Sequence, residues 1–140
     1  IVGKREVPTT DDQLKVFAKK RCPFNHMTVM FRKSDILEVG NYQEWFWNED
    51  YYLWIRLVIA NKKFANLPDT MVKVRVGTDM YQRSGGIKYF ESERGIQKLM
   101  FKEGIIGYPR YWLNVSERLV LQVFIPNWIR GIVFRTIARR

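Results

Sequence analysis

Apolar residues recur along this chain at two spacings, and the switches between them divide it into elements. Between Thr10 and Lys20, Leu14, Phe17 and Ala18 share one face of a short amphipathic helix that opens at Pro8-Thr9-Thr10 and the acids Asp11-Asp12. From His26 to Phe31 the alternation has the period of a strand buried in a sheet, ended by Arg32-Lys33. Ser34 to Val39 reads as a short helix with Ser34 as cap and Gly40 as stop. Glu49 to Asn61 is apolar on every side, the mark of a helix enclosed by the core. Phe64–Leu67 and Met71–Val76 then predict two short strands turned by Pro68-Asp69, and Ile87 to Lys102 a helix with Ile96, Leu99 and Met100 on one face, closed by Gly104.

The tail differs in kind. From Arg110 onward six arginines stand against one glutamate, interleaved with Trp112, Val120, Phe124, Trp128 and Phe134. A basic amphipathic segment with tryptophans fits a helix lying in a bilayer interface, and it equally fits a helix packed on its own domain. Pro126 interrupts the pattern.

Charge narrows the possible partners. The 140 residues carry 24 Lys and Arg against 14 Asp and Glu, a formal net charge of +10. Such a chain suits nucleic acid, anionic membranes or phosphorylated ligands. No zinc-finger spacing, RNP motif or GxxG loop is present, which argues against nucleic acid. The lone Cys22 excludes an internal disulfide and any CxxC site. No run of about 18 apolar residues predicts a membrane span.

The chemistry concentrates at Asn48-Glu49-Asp50, where two carboxylates head an otherwise apolar helix. Two roles fit them. Acids in a first turn, behind a capping Asn48, are stabilised by unpaired backbone N–H groups and the helix dipole. A carboxylate fixed among aromatic residues is also placed to take a proton from a substrate hydroxyl.

Around this pair the order Phe31-Arg32-Lys33-Ser34, Gly40-Asn41-Tyr42, Glu49-Asp50 and Leu53-Trp54-Ile55-Arg56-Leu57 resembles the acceptor-side half of family 2 glycosyltransferases. The resemblance is close over residues 20–77 and recognisable to about residue 105. It implies an α/β architecture: the C-terminal half of a GT-A fold, a mixed sheet with flanking helices, over 1–105, followed by a basic helical tail over 106–140. It implies an inverting transfer from a nucleotide-diphosphate sugar to a lipid-linked or oligosaccharide acceptor in bacterial polysaccharide assembly. Asp50 then corresponds to the general base, with Glu49 orienting it or touching the acceptor.

Other roles follow from the resemblance with less chemistry behind them. Asn25 and His26 match an acceptor-facing region, though a hydrogen-bonded histidine at a strand start explains His26 as well. Trp45 and Trp47 fit stacking on sugar rings or core packing. Arg75, Arg83 and Lys88 fit a clamp on the diphosphate or solvated surface charge.

The family's Asp-x-Asp metal motif has no counterpart here, since Asp11-Asp12 is adjacent and reads as a helix start. A histidine ligand after the last core strand is also missing, because Val76-Gly77 follows Arg75. A divalent cation, Mg or Mn, is therefore expected to find its ligands mainly outside this chain. Gln82-Arg83-Ser84-Gly85-Gly86 lacks the tryptophan of the processive synthases' Gln-x-x-Arg-Trp, implying single additions. The chain begins at Ile1, and the expectation is a piece of a longer enzyme, inactive without its nucleotide-binding half. Its expected location is the cytoplasm, peripheral on the inner face of the membrane. A different reading, a non-catalytic basic module on an anionic membrane surface, stands beside this one.

Overall fold

The computed structural model describes residues 5–75 and 85–125. Helix α1 (Asp11–Ala18), a 3-10 turn (His26–Thr28), α2 (Lys33–Glu38), α3 (Glu49–Ile59), α4 (Ile87–Lys102) and α5 (Tyr108–Leu119) follow in order, and α5 runs on into a π-helical turn (Val120–Phe124).

Helix α3 is the hub. Tyr51 and Ile55 pack with Ala18 of α1, Ile96 and Met100 of α4 and Ile106. Its opposite face sets Leu53, Trp54 and Leu57 against Ile36 of α2, with Phe24, Val29 and Phe64 closing over them. A helix apolar on all sides can be satisfied only by burial between two such clusters.

The expected mixed sheet is overturned: the described residues contain no β-strand, so the α/β GT-A assignment does not hold for them. His26–Thr28 closes a 3-10 turn, with the Thr28 N–H donating to the Asn25 carbonyl at 2.9 Å. Residues 64–66 are held side-on to α1 instead of in a ladder. The Phe64 N–H donates to Asp11 Oδ1 at 2.9 Å, and the Asn66 N–H to the Thr9 carbonyl at 3.1 Å. Met71 to Arg75 is exposed throughout. A strand exists only if a neighbour takes its backbone groups. Here side chains and single backbone bonds take them.

Three side chains close the C-terminal end of α1. Tyr51 Oη donates to the Ala18 carbonyl at 2.6 Å, Asn114 Nδ2 to Lys19 at 2.9 Å and Arg118 Nη2 to Lys20 at 2.5 Å. Terminal carbonyls have no partner within their own helix, and a guanidinium also complements the negative end of the dipole. This ties the first part of the tail, α5, onto the body.

Trp45 is a wedge between α3 and α4. Its indole stacks on Tyr52 at 4.0 Å between ring centroids, and its N–H donates to the Ser92 carbonyl at 3.0 Å. A Cβ at Gly95 would lie only 2.7 Å from Trp45 Cζ2. Alanine normally stabilises a helix interior by about 1 kcal/mol over glycine. Here Gly95→Ala is expected to destabilise by about 1–2 kcal/mol net, because the pinned ring cannot withdraw. Urea unfolding of the variant checks this, and a stabilised variant would show that the indole is loosely held.

Candidate active site

The acid pair lies where three separate segments meet. Asp50, the second residue of α3, is half-buried, while Glu49 is exposed. Asp50 Oδ1 accepts the Tyr51 backbone N–H at 2.7 Å, and Oδ2 lies 4.0 Å from Cys22 Sγ. Burial pushes the Asp50 carboxyl above its ordinary value, opposed by the Tyr51 N–H and by His26. The same burial, with the Asp50 charge beside it, raises the Cys22 thiol to about 12 and keeps it protonated.

His26 and Tyr42 form the next layer. Their rings stack at 5.4 Å, and the phenol oxygen lies 3.4 Å from His26 Nε2. Burial and the Asp50 and Glu49 charges raise the Tyr42 hydroxyl above its usual value, which places this phenol within the field of both acids. Tyr42, Trp45, Phe46, Trp47 and Glu49 line an open recess of about 650 Å³. A smaller recess of about 350 Å³ shares Trp45 and Phe46 and adds Lys88, Glu91 and Ser92.

The two tryptophans divide their roles. Trp45 is pinned between α3 and α4 as described above, while part of it lines both recesses. Trp47 is 54% exposed and stacks on Phe46 at 4.8 Å, with its backbone in the left-handed region at φ +52°. Asn48 does not cap α3 with its side chain, contrary to the sequence reading, and its amide turns to Ser92 instead.

Asn25 is already engaged. Its side-chain oxygen accepts a hydrogen bond from Arg5, whose other nitrogen donates to the Cys22 carbonyl at 2.6 Å. Burial lowers the Arg5 pKa, while the nearby Cys22 and Asp50 pull it the other way. Lys88 lies exposed at the smaller recess, and Arg75 is exposed at the edge of the described residues. Arg83 lies outside them.

Glu49, Asp50, His26 and Trp47 are thus brought together. Arg5, Cys22 and Ser92 join them without any signal in the sequence, because each comes from a different segment, and Tyr42 of the Gly40-Asn41-Tyr42 turn stands with them. No three His, Cys, Asp or Glu side chains cluster to hold a metal among the described residues.

No family profile matches the chain, and no solved structure matches it. Curated relatives do. An uncharacterized glycosyltransferase of Haemophilus influenzae is 45% identical over 107 residues, 76% of this chain and 39% of the relative. Amylovoran biosynthesis glycosyltransferase AmsE of Erwinia amylovora is 39% identical over 128 residues, 89% of this chain and 48% of the relative. The UDP-Gal:alpha-D-GlcNAc-diphosphoundecaprenol beta-1,3-galactosyltransferase of Escherichia coli is 32% identical over 136 residues, 97% of this chain and 49% of the relative. The chain therefore spans half or less of the length of these three relatives. Over most of its own length it is a homologue of bacterial glycosyltransferases of polysaccharide biosynthesis.

Proposed function

We propose that this chain is the acceptor-side part of an inverting, family 2-type glycosyltransferase, and that Asp50 is its general base. One observation carries the reading: the half-buried Asp50 carboxylate, its pKa raised by burial, is next in the chain to Glu49, which lines an open, aromatic-walled recess. An acceptor hydroxyl in that recess gives its proton to Asp50 Oδ2, since Oδ1 already holds the Tyr51 N–H. The hydroxyl oxygen attacks the anomeric carbon as the bond to the diphosphate breaks on the opposite face. A base whose pKa is lifted toward the working pH takes that proton more effectively.

Trp47 and Tyr42 offer flat apolar surfaces to the C–H faces of a sugar ring, and Glu49 can accept from its hydroxyls. The E. coli relative is named for transfer to a GlcNAc-diphosphoundecaprenol. A lipid-linked sugar diphosphate suits this chain's charge of +10, with Lys88 at the recess edge and Arg75 and Arg83 as further candidates for the diphosphate. No three His, Cys, Asp or Glu side chains cluster among the described residues, and a divalent Mg or Mn would take its ligands mainly from outside this chain.

The test is sugar transfer by the full-length protein to an alkyl-linked GlcNAc diphosphate, across a panel of nucleotide sugars. The expected product has the inverted anomeric configuration. A retained configuration, or no transfer from any donor, sinks the reading.

A second reading has its own observation. Tyr108 and Trp112 on α5, and Val120 and Phe124 on the π turn, form two pairs spaced four residues apart and are at least half exposed, with Leu113 beside them. Exposed apolar residues of this kind on a basic chain suit an anionic bilayer surface. No helix among the described residues is long and apolar enough to cross a membrane, and residues 126–140 lie outside them. The chain is expected to sediment with phosphatidylglycerol-containing vesicles in preference to phosphatidylcholine alone. Trp112→Ala with Phe124→Ala should weaken this about tenfold or more, since about 0.8 kcal/mol is lost per buried CH₂ removed. Equal sedimentation with both lipids would remove this reading.

A further inference from the structure

Trp47 is held in a conformation that a bulky residue adopts only at a cost. A left-handed φ of +52° is disfavoured for an aromatic side chain and persists only where the surroundings over-determine it. The surroundings here are one residue of α4. The Ser92 hydroxyl donates to the Phe46 carbonyl at 2.7 Å and accepts from Asn48 Nδ2 at 3.1 Å. Its carbonyl accepts the Trp45 indole N–H at 3.0 Å, and Tyr89 Oη donates to Asn48 Oδ1 at 3.3 Å. Residues 45, 46 and 48 are therefore anchored to Ser92, and Trp47 between them is turned outward over the recess.

We propose that Ser92 is a positioning residue of this site, acting through Trp47 and the first turn of α3; the proposal rests on the acceptor-side reading above. Ser92 and Asn48 are both buried and the bond between them is enclosed, so the Asn48 amide has no ready water to replace the hydroxyl. Without the hydroxyl, the Phe46 carbonyl and the Asn48 amide lose their partner together. Residue 47 is then released toward ordinary backbone angles, which swings the indole away from the recess. Asn48 immediately precedes Glu49 and Asp50, so the base shares the disturbance.

In the full-length protein, Ser92→Ala is expected to raise KM for the alkyl-linked GlcNAc diphosphate by about ten- to a hundredfold, with a smaller fall in kcat, because small misplacements cost that much. Ser92→Thr keeps the hydroxyl and should stay within about threefold of the parent. Trp47→Ala should raise KM like Ser92→Ala, and the two together should do no worse than either alone. Tyr89→Phe, which loosens only Asn48, should shift KM in the same direction by less. A readout independent of substrate accompanies these: acrylamide quenching of the fluorescence assignable to Trp47, taken as the difference between parent and Trp47→Phe, should change in Ser92→Ala. Unchanged quenching, or KM effects that add fully, overturns the positioning role. If quenching changes while Asp50→Asn, Trp47→Ala and Ser92→Ala all transfer sugar normally, the clamp stands as geometry. In that case the acceptor-site reading fails, and the positioning role falls with it.

Discussion

Asp50→Asn is expected to lower kcat/KM for sugar transfer by about a hundred- to ten-thousandfold, the range of a positioned general base, while leaving the fold at least as stable at neutral pH. The two halves of this expectation have one cause. Burial raises the Asp50 carboxyl above its ordinary 3.8, so the folded protein holds this proton more tightly than the unfolded chain does. Stability from that difference is complete below the unfolded value and is lost as pH rises through the folded one. At neutral pH the native protein therefore carries a partly buried charge that the amide lacks. Asparagine can still accept the Tyr51 N–H through its side-chain oxygen, so the local hydrogen bond survives. Thermal melts across the acid-to-neutral range should show a decline for the native protein, with this component missing in the variant. A variant that melts lower at neutral pH but transfers sugar normally would make Asp50 a helix-start residue and nothing more.

Arg118→Met is the second large effect, on stability. Arg118 Nε approaches Glu93 Oε2 to 2.8 Å, as an ion contact and not an aligned hydrogen bond, with the two side chains only 8% and 14% exposed. Its Nη2 caps the Lys20 carbonyl, and Gln122 Nε2 donates to the same Glu93 oxygen at 2.6 Å. Removing the guanidinium leaves a buried carboxylate without its counter-charge and reopens the end of α1. Breaking a buried pair in this way costs about 3–5 kcal/mol. Arg118→Lys should recover little of this, because a single ammonium cannot meet both the Glu93 carboxylate and the Lys20 carbonyl from one position. Replacing Glu93 with glutamine in the Arg118→Met background should restore part of the loss, since the uncompensated charge is gone. Denaturant unfolding separates these cases. A loss under about 1 kcal/mol in Arg118→Met would mean that water reaches the pair and screens it.

The sequence located the α-helices that build the body of the fold, though not the 3-10 turn at His26–Thr28. Apolar positions at helical spacing located α1, α3 and α4 to within a residue or two, and glycines at φ +85° and +71° stand where Gly40 and Gly104 were expected to stop α2 and α4. The sequence also carried the acid pair and its setting, because Glu49 and Asp50 head a helix whose remaining residues must be buried. That information is local, and local pattern suffices for it.

Tertiary structure decided the rest. Alternation at 26–31, 64–67 and 71–76 signals residues that could pair in a sheet, but pairing needs a second segment at the right distance, and a one-dimensional pattern says nothing of that. Asn48 has the chemistry of a cap, yet Ser92 offers its amide a buried partner and wins it. Trp45 and Trp47 look alike in sequence, and only the gap over Gly95 makes one a wedge while the clamp at Ser92 turns the other outward. The surroundings of Asp50 are assembled from residues 5, 22, 26 and 42, whose proximity arises from packing around α3, a property of the folded chain that no stretch of it contains alone.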